Sequence, residues 1–79
     1  MPTEPQVTLD SPVETLAEAY PVSIYWDNDE NAFLVELPSF NNTQLHALTW
    51  AQAAAAARIA HMLLINVYRA NSYTLPEVG

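Results

Sequence analysis

The sequence has no cysteine and no lysine, and only two arginines stand against nine acidic residues. Without cysteine, neither a disulfide framework nor a thiolate zinc site can add to the stability of a chain of 79 residues, which is short enough to be marginal on its own core. The resulting net charge of −7 opposes a phosphate backbone at every distance, so direct nucleic-acid binding is not expected and a basic protein is the complementary partner. A secretory leader is not expected either, because Glu4, Asp10, Glu14 and Glu18 stand where such a leader would be cationic and then apolar. An uninterrupted apolar run is also missing: Gln52, Arg58, His61, Asn66 and Arg69 break up the longest candidate, so no membrane span and a cytoplasmic protein are expected.

What is present is one long helix signal over 49–71. Thr49 and Gln52 form a T-x-x-Q capping box, six alanines between Ala51 and Ala57 favour helix, and no proline intervenes before Pro76. Arg69 places a cation near the negative end of the helix dipole. At 1.5 Å per residue the helix is about 33 Å long. Stepping 100° per residue puts Ala53, Ala56, Ala57, Ala60, Leu63, Leu64 and Val67 on one arc, bordered by Trp50 and Tyr68, and this arc is the predicted core face. The opposite side mixes polar residues with Ile59, Met62 and Ile65. A solvated helix rarely carries so many large apolar groups there, so these three residues are the predicted interface of a homo-oligomer, a dimer or tetramer.

The remaining segments order themselves around this helix. Residues 1–19 read as an N-terminal arm, extended over 1–10, with a short helix at 12–19 begun by the capping box Ser11-Pro12-Val13-Glu14. Residues 20–79 form the domain. Val22, Ile24 and Trp26 alternate with Ser23 and Tyr25, and Phe33, Val35 and Leu37 alternate with Leu34 and Glu36. These are two strands of a hairpin, joined through Asp27-Asn28-Asp29-Glu30-Asn31. A third strand is predicted over 44–48, directly before the Thr49 cap, and a short edge strand over 72–75. The expected architecture is α+β: an antiparallel three-stranded sheet in the order β-β-β-α-β, with the long helix packed on one face.

Several of these residues occur together in a recognisable pattern. Tyr20-Pro21 leading into a strand, the acidic turn, Phe33-Leu34-Val35 followed by Glu36-Leu37-Pro38, His46-Ala47-Leu48-Thr49-Trp50-Ala51-Gln52-Ala53 opening the helix, and Leu75-Pro76-Glu77 together resemble the HicB-like antitoxin domain over about residues 20–77. Ala47 stands where that family often has glycine, and Gln52 where it often has a carboxylate. The resemblance implies a partial RNase H-like fold, an oligomer, and a role in neutralising a small basic HicA-like mRNA-cleaving toxin. Complete members carry a C-terminal DNA-binding domain, for which the 79 residues hold no counterpart, so operator binding is not expected.

Candidate chemistry is sparse. Asp27, Asp29, Glu30 and Glu36 are the only concentrated acids. Three belong to a turn, where acids serve solubility and turn formation, and Glu36 points outward from a strand. His46 suits a structural place at the strand-to-helix junction, and His61 falls in the polar stripe of the helix, where it hydrogen-bonds or faces water. The aromatic residues Tyr25, Trp26, Trp50, Tyr68 and Tyr73 suit core and interface packing better than base stacking, because no lysine holds phosphates. The expectation is a non-enzymatic HicB-like interaction module without cofactor or metal that oligomerises and binds a basic toxin. The alternatives are an orphan homo-oligomer and a residual metal-dependent nuclease.

Overall fold

The structure, a computed structural model, describes residues 7–78. The elements run α1 (Val13–Ala19), β1 (Ser23–Asp27), β2 (Ala32–Leu37), a 3-10 turn (Pro38–Phe40), β3 (Thr43–Ala47) and α2 (Trp50–Ala70). The three strands form an antiparallel open sheet in the order β1-β2-β3. In register, Ile24 pairs with Val35 and Val35 with Leu45, while Trp26 pairs with Phe33 and Phe33 with Ala47. These residues therefore share one face, as strand alternation requires. Ala53 and Ala57 of α2 are buried against that face with Val35 and Leu37, and their small side chains let the helix lie close to the sheet.

Both ends of α2 are built as local chemistry dictates. The Gln52 amide donates to Thr49 Oγ1 at 3.1 Å, and Gln52 Oε1 accepts from the Leu48 amide at 3.3 Å, one residue earlier than a reciprocal capping box would place it. At the other end Ser72 takes φ 56°. The Ser72 amide donates to the Arg69 carbonyl, and the Tyr73 amide to the Tyr68 carbonyl at 2.8 Å, with the Tyr68 and Tyr73 rings edge-to-face at 5.7 Å. This is a Schellman stop with its apolar contact, closed by serine where glycine is usual. Asparagines do the same service elsewhere: Asn31, Asn41 and Asn42 have φ between 53° and 58° and turn the chain at the two hairpin connections.

A second core lies beside the sheet. Leu16, Ala17 and Tyr20 meet Phe40 and Ile65, with Val7, Leu9, Val13, Met62, Leu64, Tyr68, Leu75 and Val78 packed around them. Tyr20 is edge-to-face with Phe40 at 5.0 Å. The arm is fastened at several points: Arg69 donates to the carbonyls of Leu9 and Ser11 at 2.9 and 2.6 Å, Arg58 meets Glu18 at 3.5 Å, and Tyr20 Oη donates to the Pro76 carbonyl at 2.6 Å. From residue 7 onward the arm is thus part of the domain's own core; the rest of the expected extended stretch, residues 1–6, lies outside the described residues.

Three expectations about α2 change as a result. Ile65, assigned to an oligomer interface with Ile59 and Met62, is fully buried within the single chain, and Met62 packs beside it; only Ile59 stands exposed. The covering partner of that flank is α1, tethered by a short connection, so a second molecule is not needed there. His61, placed in the polar stripe, is also buried, whereas Leu63 and Val67, placed in the core, are exposed. The buried row is Ala53, Ala57, His61 and Ile65, because α1 pulls the covered surface round the helix.

The short helix starts at Val13 with Pro12 as its cap and no side-chain capping bond; Ser11 Oγ instead accepts from the Thr8 amide at 2.9 Å, so the Ser11 capping box does not form. Among the described residues no strand follows α2. The αL turn at Ser72 sends the tail toward α1, where Leu75 and Val78 pack half-buried and Pro76 offers its carbonyl to Tyr20. The element order is α-β-β-β-α.

Candidate interaction surfaces

Among the described residues three surfaces stand out as open. The first is the outer face of the sheet, opposite α2. Here Tyr25 Oη donates to Glu36 Oε1 at 2.7 Å and Gln44 Nε2 donates to the same oxygen at 3.2 Å. The bond to Glu36 holds the Tyr25 hydroxyl pKa above its ordinary value. His46 Nε2 lies 3.9 Å from Asp27 Oδ2, and Asp27 Oδ1 accepts from the Asp29 amide at 3.0 Å. Each carboxylate is thus engaged by a neighbour, and among the described residues no three histidine or acidic side chains converge as a metal site. Glu36 faces outward as expected, and Asp29 and Glu30 stay in the turn, but Asp27, expected in that turn, is the last residue of β1.

His46 and His61 do not come together: one is half exposed on this sheet face and the other sits in the second core. His61 lies between the rings of Tyr20 and Phe40, at centroid distances of 5.7 and 5.6 Å, and its Nε2 has no hydrogen-bond partner. Burial alone lowers its pKa, since nothing nearby compensates the charged form. Neutral and sealed from solvent, it is a packing residue.

The second surface is the flank of α2 turned away from α1. Ile59, Leu63 and Val67, each four residues apart, are 56, 62 and 50% exposed. Gln52, Ala56, Ala60, Asn66 and Ala70 border them by helical spacing. No charged side chain falls on this flank, because both arginines of α2 point to the other side, toward Glu18 and the arm.

The third is a corner where the sheet meets the start of α2. Phe33 is edge-to-face with Trp26 at 5.2 Å and with Trp50 at 5.9 Å, yet Trp26, Trp50 and Leu48 remain 45, 57 and 77% exposed. Of the residues singled out from the sequence, Ile59, Trp26 and Trp50 belong to these two apolar surfaces. Leu63 and Val67 were missed. The signal that points to them is the absence of charge along their row, which sets it apart from the row holding Arg58 and Arg69.

Among the described residues no pocket is enclosed, and no helix is long and apolar enough to cross a membrane. Compared with known families, curated proteins and solved structures, the chain matches none.

Proposed function

We propose that the chain is a non-enzymatic, HicB-like interaction module of the cytoplasm that pairs with a second copy through α2 and masks a small basic protein of the HicA-like, mRNA-cleaving kind. The observation that carries this is the bare, uncharged row of Ile59, Leu63 and Val67. Leu63 lies midway between the other two, so a two-fold axis at Leu63 brings Ile59 of one copy onto Val67 of the other, as a self-complementary interface requires. Burying these side chains removes apolar area from water, and no charge has to be desolvated. The three-stranded sheet with α2 across it suits a partial RNase H-like arrangement, here without the last strand. The acidic surface supports the choice of a basic partner.

The paired substitution Ile59→Glu with Leu63→Glu tests the assembly. Sedimentation should change from an oligomer to a folded monomer with an unaltered circular dichroism spectrum. An unchanged sedimentation coefficient overturns the pairing. The antitoxin part is tested by co-expressing the chain with the product of the neighbouring reading frame: rescued growth supports it, and continued arrest, or a neighbour that is neither small nor basic, favours an orphan oligomer instead.

A further inference from the structure

We infer that the corner formed by Trp26, Phe33 and Trp50 is the docking site for the basic partner, taking its arginine or lysine side chains onto the two indoles, with the carboxylates of the β1–β2 turn closing the charge. This deepens the proposed function and rests on its basic partner, but not on pairing through α2.

Two exposed tryptophans and Leu48 on one small corner are a costly arrangement for a free surface, and buried tryptophans are the commonest anchors of protein interfaces. Both indoles are already held in place. Trp26 Nε1 donates to Asn28 Oδ1 at 2.8 Å, Trp50 is the first residue of α2 behind the Thr49 cap, and each ring stands edge-to-face on Phe33. Little side-chain freedom is left to lose on binding.

The charge around them is one-sided. The bond to Asn28 puts the Trp26 indole beside the turn that carries Asp29 and Glu30. The two arginines of the chain are both committed elsewhere, Arg58 to Glu18 and Arg69 to the arm, the latter about 28 Å along the helix axis from Trp50. Aromatic faces beside the Asp29 and Glu30 carboxylates attract a cation twice, through the ring quadrupole and through direct charge, and arginine uses both. The same rim repels a second copy of a chain with net charge −7, an anionic membrane and a nucleic acid. Self-association thus has the neutral flank of α2, and a cationic partner has this corner.

The chain contains two tryptophans and both lie here, so their fluorescence reports occupancy directly. The probe is a decapeptide of alternating arginine and leucine, with a glutamate-for-arginine peptide as control. At low salt the arginine peptide should shift the emission and saturate, and the control should not. Trp50→Ala, read through the remaining Trp26, should weaken binding about tenfold. Asp29→Asn with Glu30→Gln, which leaves the aromatic packing intact, should do the same. Asp10→Asn with Glu14→Gln removes as many charges from the α1 side and should leave binding unchanged. Equal weakening by both charge pairs, or binding without any change in emission, overturns the proposal. An emission change on concentrating the protein alone overturns it in favour of a second copy. The Ile59→Glu with Leu63→Glu protein should still bind the peptide, so loss of pairing and loss of docking are read separately.

Discussion

The two flanks of α2 are alike in composition and opposite in fate. One carries Met62 and Ile65 and lies under α1 and the arm; the other carries Ile59, Leu63 and Val67 and lies bare. Apolar character is therefore no guide to which flank the chain covers for itself. The difference is made by tethers: Arg58 to Glu18, Arg69 to the carbonyls of Leu9 and Ser11, and Tyr20 to the Pro76 carbonyl. Both arginine tethers leave the same flank, and the Tyr20 bond holds the tail after α2 to the end of α1. Polar groups with partners define where α1 goes, and the flank without such groups is left for something else.

The contrast is broken most severely by truncating one residue on each flank. Ile65→Ala leaves a cavity between α1 and α2 and should cost about 2–5 kcal/mol. Leu63→Ala removes a side chain of the same size from an exposed site and should cost the dissociated monomer less than about 0.5 kcal/mol. Urea denaturation at low protein concentration measures both; equal losses would mean that the flanks are not as different as their exposure says.

His61 sharpens the comparison through pH. Its folded pKa lies below the ordinary value of 6.5 because burial disfavours the charged form. Between the two values the unfolded chain binds more protons than the folded one, so stability falls as pH drops below about 6.5 and is fully present above it. The groups facing His61 are the aromatic rings of Tyr20 and Phe40, and neither offers a counter-charge; Tyr20 itself is raised by burial, partly offset by Arg69. His61→Leu should flatten the profile in that window and add about 1 kcal/mol at pH 8, since the unpartnered Nε2 is gone. A slope that survives the substitution would assign it to other groups.

A small, local effect is expected at the tether. Arg69→Leu removes the donors to Leu9 and Ser11 at an exposed site and should cost about 1 kcal/mol. Hydrogen exchange of the Ser11 amide, which donates to the Thr8 carbonyl, should quicken, while the amides of β2 stay protected. Uniform loss of protection would show that the arm and the sheet unfold as one unit.

Much of this was legible beforehand. The T-x-x-Q start of α2, the hairpin with its acidic turn and the α+β class follow from periodicity and turn chemistry, and each is local. The missing fourth strand was not legible: residues 72–75 are extended by composition, but the αL turn at Ser72 directs them to α1, and nothing in Tyr73-Thr74-Leu75 records that direction. Ile65 and His61 were misplaced for a related reason. A helix greasy nearly all round has no unique inner face until its neighbours choose one.

The three paired strands, the two helices and the sign of the surface follow from the residues themselves, because caps, alternation and charge act over a few residues or over the whole molecule at once. Only the tertiary structure decided which flank of α2 is core and which is free. That choice depends on where α1 comes to rest, and α1 is placed by bonds between residues as far apart as Leu9 and Arg69, a pairing that no local pattern encodes.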